Sequence, residues 1–204
     1  MTDTFLDKAY DISGTDATRE LYTDWAKSYD AEVSGNGYAT PKRCAEALKA
    51  VTDDLSQPIL DFGCGTGLSG SALSLAGFRV IDGLDLTQEM LDIASKKSLY
   101  RTLALSDPDV EFPVKPGEYS AIAAIGVIGA GAAPLAVFDL LLNALGSGGK
   151  FVFSFNDHTL EDPSFEARVA EATSNGSANL LSEQYGPHLP GLNMNSKVYV
   201  IEKA

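Results

Sequence analysis

The stretch Ile59-Leu60-Asp61-Phe62-Gly63-Cys64-Gly65-Thr66-Gly67 constrains this chain more than any other. An apolar strand runs straight into a loop with glycine at every second position. A loop without side chains lets a ligand lie against bare backbone. The helix that follows turns its unpaired N–H groups into the same space. Such a loop suits a nucleotide-like cofactor held at the end of a buried strand.

On either side of the loop the chain alternates between strand and helix. Strands are expected over 59–63, 78–84, 99–105, 119–127 and 151–155, with helices over 67–76, 87–97 and 134–145. Upstream, Leu21, Tyr22, Trp25 and Tyr29 recur at helical spacing and make one aromatic face over 18–32. Ser34–Gly37 breaks that helix, and Thr40-Pro41 opens another, with Thr40 as N-cap and Pro41 at the first position. Downstream, a helix near 164–173 precedes strands at 178–185 and 196–202, with a loop at 187–195. The alternation predicts an α/β fold, a Rossmann-like doubly wound, mostly parallel seven-stranded sheet with an antiparallel edge strand. One domain is expected over 1–204, with 1–57 as a helical lid segment and 58–204 as the core.

Composition narrows the setting. A chain of 204 residues, 45% hydrophobic, can bury a sizeable core. Its net charge of −13 argues against phosphate backbones and anionic membranes, so no nucleic-acid or membrane partner is expected. Met1–Asp11 lacks the apolar segment of a signal peptide. The apolar run 121–136 is broken by Gly126, Gly129, Gly131 and Pro134, which reads as a strand plus a helix start. Cys44 and Cys64 read as reduced thiols in a cytoplasmic protein. A monomer or homodimer without bound metal is expected.

In an open α/β sheet, ligands sit outside the carboxyl ends of the strands. Three features fall there: Gly63, Gly65 and Gly67; Asp85 at the end of the second strand; and Ser106-Asp107 after the third. A carboxylate at Asp85 can accept hydrogen bonds from ribose hydroxyls. Residues 65–70, Gly-Thr-Gly-Leu-Ser-Gly, match a dinucleotide pattern with Asp85 about 20 residues on. That pattern begins inside a longer Asp-x-Gly-x-Gly-x-Gly, in which Asp61 precedes the loop. An acid there repels a pyrophosphate and favours a sulfonium amino acid, so S-adenosylmethionine fits better than a nicotinamide dinucleotide.

These residues resemble the first two motifs of class I S-adenosylmethionine-dependent methyltransferases, with Asp85 followed by Thr87-x-x-Met90-Leu91. Leu21-Tyr22-x-x-Trp25-Ala26-x-x-Tyr29-Asp30 resembles the N-terminal helix of the family's small-molecule branch. The layout is similar to the small Williams–Beuren-region methyltransferase group, including Gly148-Gly149 before the fifth strand. The resemblance implies that Gly63, Cys64, Gly65, Thr66 and Gly67 line the methionine part of the cofactor, with Asp61 behind them. It implies that Asp85 holds the ribose, that Leu86, Met90, Ser106 and Asp107 surround the adenine, and that Ile125 and Gly126 pass near the amino group. Tyr22, Trp25 and Tyr29 would close over the site.

The expected reaction is in-line attack of a small-molecule acceptor on the sulfonium methyl. The fourth strand ends Gly126-Val127-Ile128-Gly129, without the acid or histidine that many relatives carry there. His158, after the fifth strand, is then the candidate general base. His188, between Pro187 and Pro190, falls where substrates often enter, and each histidine also reads as an ordinary loop residue. Two rival readings are a catalytically silent cofactor-binding module and a nicotinamide-linked oxidoreductase. The latter lacks both a second nucleotide-binding half and a Tyr-x-x-x-Lys pair.

Overall fold

In the computed structural model the described residues are 5, 8, 14–106, 112–129 and 131–204. Seven strands are present: β1 (Pro58–Phe62), β2 (Val80–Asp85), β3 (Thr102–Leu105), β4 (Ala121–Ala124), β5 (Lys150–Asn156), β6 (Ala178–Leu189) and β7 (Met194–Lys203). The helices are α1 (Thr15–Gly35), α2 (Thr40–Lys49), α3 (Leu68–Ala76), α4 (Gln88–Lys96), α5 (Ala136–Ala144), α6 (Asp157–Leu160) and α7 (Pro163–Ser174). One sheet holds all seven strands in the order β3-β2-β1-β4-β5-β7-β6. β7 runs antiparallel to both neighbours, and the other pairings are parallel. This is the expected Rossmann-like, mostly parallel sheet.

The pleat divides the core into two layers, because successive side chains point to opposite faces. Leu60, Ile122, Phe151, Phe153 and Phe155 pack on one face against Phe138 and Leu141 of α5 and Val169 of α7. Ile59, Ile81, Ala121, Ala123 and Val152 pack on the other face against Cys44 and Leu48 of α2 and Leu73 of α3. β1, β4 and β5 are therefore largely apolar, as strands buried on both faces are, with Asp61 in β1 and Ser154 in β5 as the buried polar exceptions. Trp25 and Val33 of α1 join Leu189 in a third, smaller cluster.

Several boundaries move from their expected places, each for a local reason. β4 ends at Ala124 because Gly126 turns the chain at φ 69°, and its N–H donates to Ser154 Oγ instead of the ladder. β3 starts at Thr102 rather than 99, since Ser98 sits at φ 53° and the Tyr100 side chain leaves the strand line to reach Asp61. The expected loop at 187–195 shrinks to a 3-10 turn at Pro190–Leu192, and β6 and β7 pair almost to its edge. Ala39, not Thr40, is the N-cap of α2. The Thr40 hydroxyl is drawn instead into buried bonds with His188 and Ser196.

Candidate functional site

The chain winds outward from β1 through β2 to β3, then returns to β4 on the other side of β1. The strand order reverses between β1 and β4, and a crevice opens there at the carboxyl ends. The glycine loop lies on its floor. Gly63 N–H and Cys64 N–H both donate to Leu84 O, at 2.8 and 3.0 Å, and Gly67 N–H donates to Cys64 O at 2.8 Å. This tight turn needs left-handed backbone, with φ 67° at Gly63 and 91° at Gly67, which glycine adopts without strain. At Gly63 even a methyl group is excluded, since a Cβ would lie 2.5 Å from Val127 Cγ2. At Gly65 nothing lies within 4 Å of that position, so the backbone faces open space.

That space is a cleft of about 970 Å³. Its floor is Gly63 and Gly65, one end holds Asp85, Leu86, Met90 and Ser106, and Phe62, Val127 and Val137 form an apolar wall. Ile125 and Gly126, just after β4, border it, and Tyr22 and Tyr29 of α1 line it as well. The structure thus brings Tyr22, Tyr29, Gly63, Gly65, Asp85, Leu86, Met90, Ser106, Ile125 and Gly126 together around one cleft.

Asp85 is nearly buried. Its Oδ1 accepts from Thr87 N–H at 3.0 Å and Thr87 Oγ1 at 3.1 Å, and its Oδ2 accepts from Gly65 N–H at 2.8 Å. A carboxylate offers about four acceptor sites, so Oδ2 keeps one for a hydroxyl in the cleft. Desolvation holds its pKa above the ordinary carboxylate range despite these bonds.

Other expected residues point elsewhere. Asp61 is fully buried behind the loop. Its Oδ2 accepts from Ser69 Oγ at 2.6 Å and Tyr100 OH at 2.7 Å, and burial pushes its pKa up to about 7. Its Oδ1 is the one buried side-chain oxygen without a partner among the described residues. The Cys64 side chain turns under the loop against Gly83, so Cys64 contributes backbone only. Thr66 is buried and donates to Asp30 Oδ1 at 2.5 Å. Gly67 faces Tyr100 and Lys97 rather than the cleft. Asp107 lies outside the described residues.

A second cavity, of about 610 Å³, adjoins the first and shares Tyr22, Tyr29, Gly126 and Ala132 with it. Trp25 and Tyr38 give it aromatic walls, and Ser154, Asn156, Thr159 and His188 give it polar ones. Trp25 belongs to this cavity and not to the cleft; its Nε1 donates to Glu32 at 2.8 Å. His158 lines neither space. It sits on the short helix α6 with its side chain 43% exposed, near Glu161. The imidazole at the cavity is His188, 5% exposed, with Nδ1 2.8 Å from Thr40 Oγ1. Burial depresses its pKa to about 4, so the ring is neutral near pH 7.

Two residues escaped the sequence reading. Tyr100 fills the space left by Gly70 and Gly83, where a Cβ would meet its hydroxyl oxygen at 2.3 Å and its ring at 3.0 Å, respectively. Gly70, the last glycine of the dinucleotide pattern, therefore lets Tyr100 pack close against α3. Asp30 ties α1 down by accepting from Thr66 Oγ1 and pairing with Lys97 Nζ at 2.8 Å. The aromatic helix repeat held Asp30 in view, but its partners lie 36 and 67 positions away.

The bare loop, the spare acceptor site on Asp85 and the apolar slot at Leu86 and Met90 fit a nucleoside carrying an amino-acid tail. Comparison with known proteins agrees. A methyltransferase domain family matches residues 37–190. The yeast 18S rRNA (guanine(1575)-N(7))-methyltransferase (Saccharomyces cerevisiae) is 34% identical over 126 residues, covering 55% of this chain and 46% of that protein. The chain spans about half the length of the curated relatives it matches. Magnesium protoporphyrin IX methyltransferase from Synechocystis, solved with S-adenosylmethionine bound, superposes with a TM-score of 0.70 at 15% identity, covering 95% of this chain and 98% of that one. A Haloferax volcanii putative methyltransferase, solved in complex with the Trm112 methyltransferase activator, gives 0.68 at 16% identity, covering 92% and 98%.

These relatives correct the partner expected from charge. An acidic chain was expected to exclude nucleic acid and to take a small-molecule acceptor as monomer or homodimer, yet a relative at 34% identity carries an rRNA methyltransferase name and a structural neighbour was solved with an activator protein. Net charge reports on the whole surface and not on one cavity, which is why it misled. The nicotinamide reading also falls away. The chain belongs to the methyltransferase domain family and has the fold of the class I S-adenosylmethionine-dependent methyltransferases.

Proposed function

We propose that the chain transfers the methyl group of S-adenosylmethionine to a neutral ring nitrogen of a purine base, seated in the cavity beside Tyr38 and His188. The observation that carries this is the wall of that cavity. Among the described residues it contains no carboxylate, amine or thiol, and its one imidazole has a pKa near 4. Such a site has no strong base. It suits a nucleophile that already owns a lone pair, and aromatic walls suit a flat ring. The rRNA guanine-N7 methyltransferases among the relatives support the same acceptor class.

The cofactor supplies an electrophilic methyl on a sulfonium centre. Gly63 and Gly65 would hold its amino-acid part, Asp85 one ribose hydroxyl, and Leu86 and Met90 the base, with Ser106 at its edge. Tyr22 and Tyr29, shared by both spaces, would exclude water and keep the two reactants in line. Orientation and desolvation are then what the protein contributes to the rate. A base carried on RNA would need a partner that supplies positive charge to reach a chain of net charge −13, and the neighbour solved with an activator protein supports a protein partner.

The test is methyl transfer from radiolabelled S-adenosylmethionine to small-subunit rRNA and, separately, to guanosine monophosphate, with nucleosides resolved by mass spectrometry. Label on a purine ring nitrogen is the expected outcome. Label confined to ribose hydroxyls or exocyclic groups of the bases, or no label on either probe, would sink the proposal.

A further inference from the structure

The polar groups on the wall of the second cavity have a direction. Arg43 Nη1 donates to Ser196 Oγ at 2.9 Å, and a guanidinium can only donate. Ser196 is fully buried, so its own hydroxyl hydrogen must find an acceptor, and Thr40 Oγ1 lies 2.8 Å away. The Thr40 hydrogen is then committed to His188 Nδ1, also at 2.8 Å. The relay Arg43–Ser196–Thr40 thereby makes Nδ1 an acceptor and leaves the proton of the neutral ring on Nε2. Among the described residues no group bonds Nε2, and it is not one of the sealed, unpartnered atoms, so the N–H meets the cavity.

A second side chain is polarised in the same sense. Thr159 N–H and Thr159 Oγ1 both donate to one atom of the Asn156 amide, each at 2.9 Å. A backbone N–H cannot accept, so that atom is the oxygen, and the Asn156 NH2 is left to donate. Asn156 ends β5 and His188 lies near the end of β6, and both line the same cavity.

We infer that His188 Nε2–H and Asn156 Nδ2–H form a donor-only pair that holds a carbonyl oxygen of the acceptor ring beside the nitrogen that takes the methyl, with Arg43, Ser196 and Thr40 setting the tautomer of His188. The two donors match the two lone pairs of one carbonyl oxygen, as O6 beside N7 on the major-groove edge of guanine offers, and leave the lone pair of the ring nitrogen for the methyl. The pair rejects a group that presents its own N–H there, because two buried donors would face a third. His188 is thus a binding residue and not a proton acceptor. This inference rests on the acceptor cavity proposed above.

The chain has two histidines, so its imidazole nitrogens are resolvable by NMR of ¹⁵N-histidine-labelled protein. His188 is expected as a single Nε2–H tautomer in the full chain with S-adenosylhomocysteine added. Thr40→Ser should keep that tautomer, and Thr40→Val should give a mixture. An Nδ1–H or averaged ring in the unmodified protein would overturn the inference. Guanosine monophosphate is the probe for the second arm. It should shift the His188 N–H resonance, and Asn156→Asp, which keeps the oxygen for Thr159 but removes the donors, should weaken its binding at least tenfold. Equal affinity in that variant overturns the donor pair. If the tautomer stands but guanosine monophosphate leaves every cavity resonance unmoved, the purine acceptor is wrong while the polarity of the wall is not.

Discussion

The carboxylate of Asp85 accepts the backbone N–H of Gly65 at 2.8 Å, so the acid that ends β2 also holds the glycine loop that follows β1. Two parts of the cofactor cleft are therefore one mechanical unit. The bond fixes the direction of the bare backbone and leaves Asp85 Oδ2 with one acceptor site.

Replacing Asp85 removes both functions. Asp85→Ala should raise the dissociation constant of S-adenosylmethionine by roughly 10- to 100-fold, or about 1.4–2.8 kcal/mol, as for a lost bond to a charged group. Asp85→Asn retains an acceptor for Gly65 and should lose less. Isothermal titration measures both, and unchanged affinity in the alanine variant would remove Asp85 from the site.

Gly63 supports the loop by lacking a side chain. In Gly63→Ala the new methyl would sit 2.5 Å from Val127 Cγ2, on backbone at φ 67°. Loop and β4–α5 segment must separate, at a cost of about 1–3 kcal/mol in stability with loss of cofactor binding. Val127→Ala in the same chain should restore part of the stability, but not the part due to positive φ. Urea unfolding of the single and double variants gives the coupling, and simple additivity would contradict the contact.

Asp61 and His188 make stability depend on pH in opposite senses. The Asp61 pKa rises on folding from 3.8 to about 7, so its contribution is full below pH 3.8 and lost as pH climbs to about 7. The His188 pKa falls from 6.5 to about 4, so its contribution is full above pH 6.5 and lost as pH drops through about 4. Between those limits the two slopes cancel. Asp61→Asn should leave the His188 slope exposed, with stability rising relative to the unmodified chain by up to about 1.4 kcal/mol per pH unit. Urea midpoints from pH 4 to 6.5 test this; parallel profiles for the two proteins would refute it.

Neither thiol should react in the folded state. Cys44 is fully buried and its pKa is pushed up to about 12, and burial beside Asp61 and Asp85 raises that of Cys64 further. Thiolate is the reactive form. Ellman's reagent should label neither cysteine in native buffer and both in guanidinium. Rapid native labelling of Cys64 would place its side chain in the cleft after all.

The legible part of this protein was local. The strand–loop–helix at 59–76, Asp85 and the helix cap at Thr87 follow from neighbours in the chain, because turn geometry and strand burial depend on adjacent residues. His158 was attractive for the same reason, standing directly after β5, yet α6 carries its side chain away from both cavities. Glycine spacing also showed where a side chain was missing, but not that Gly70 and Gly83 make room for Tyr100.

From the sequence alone came the doubly wound sheet, the glycine loop that borders the cleft and the acid beside it, since hydrophobic period and glycine placement act over a few residues. Tertiary structure alone decided the chemistry of the second cavity. Thr40 meets His188 and Ser196 across 148 and 156 positions, and Tyr100 meets Asp61 across 39. Which hydroxyl points at which imidazole is set by how α2 packs beside β7, and no pattern along the chain records it.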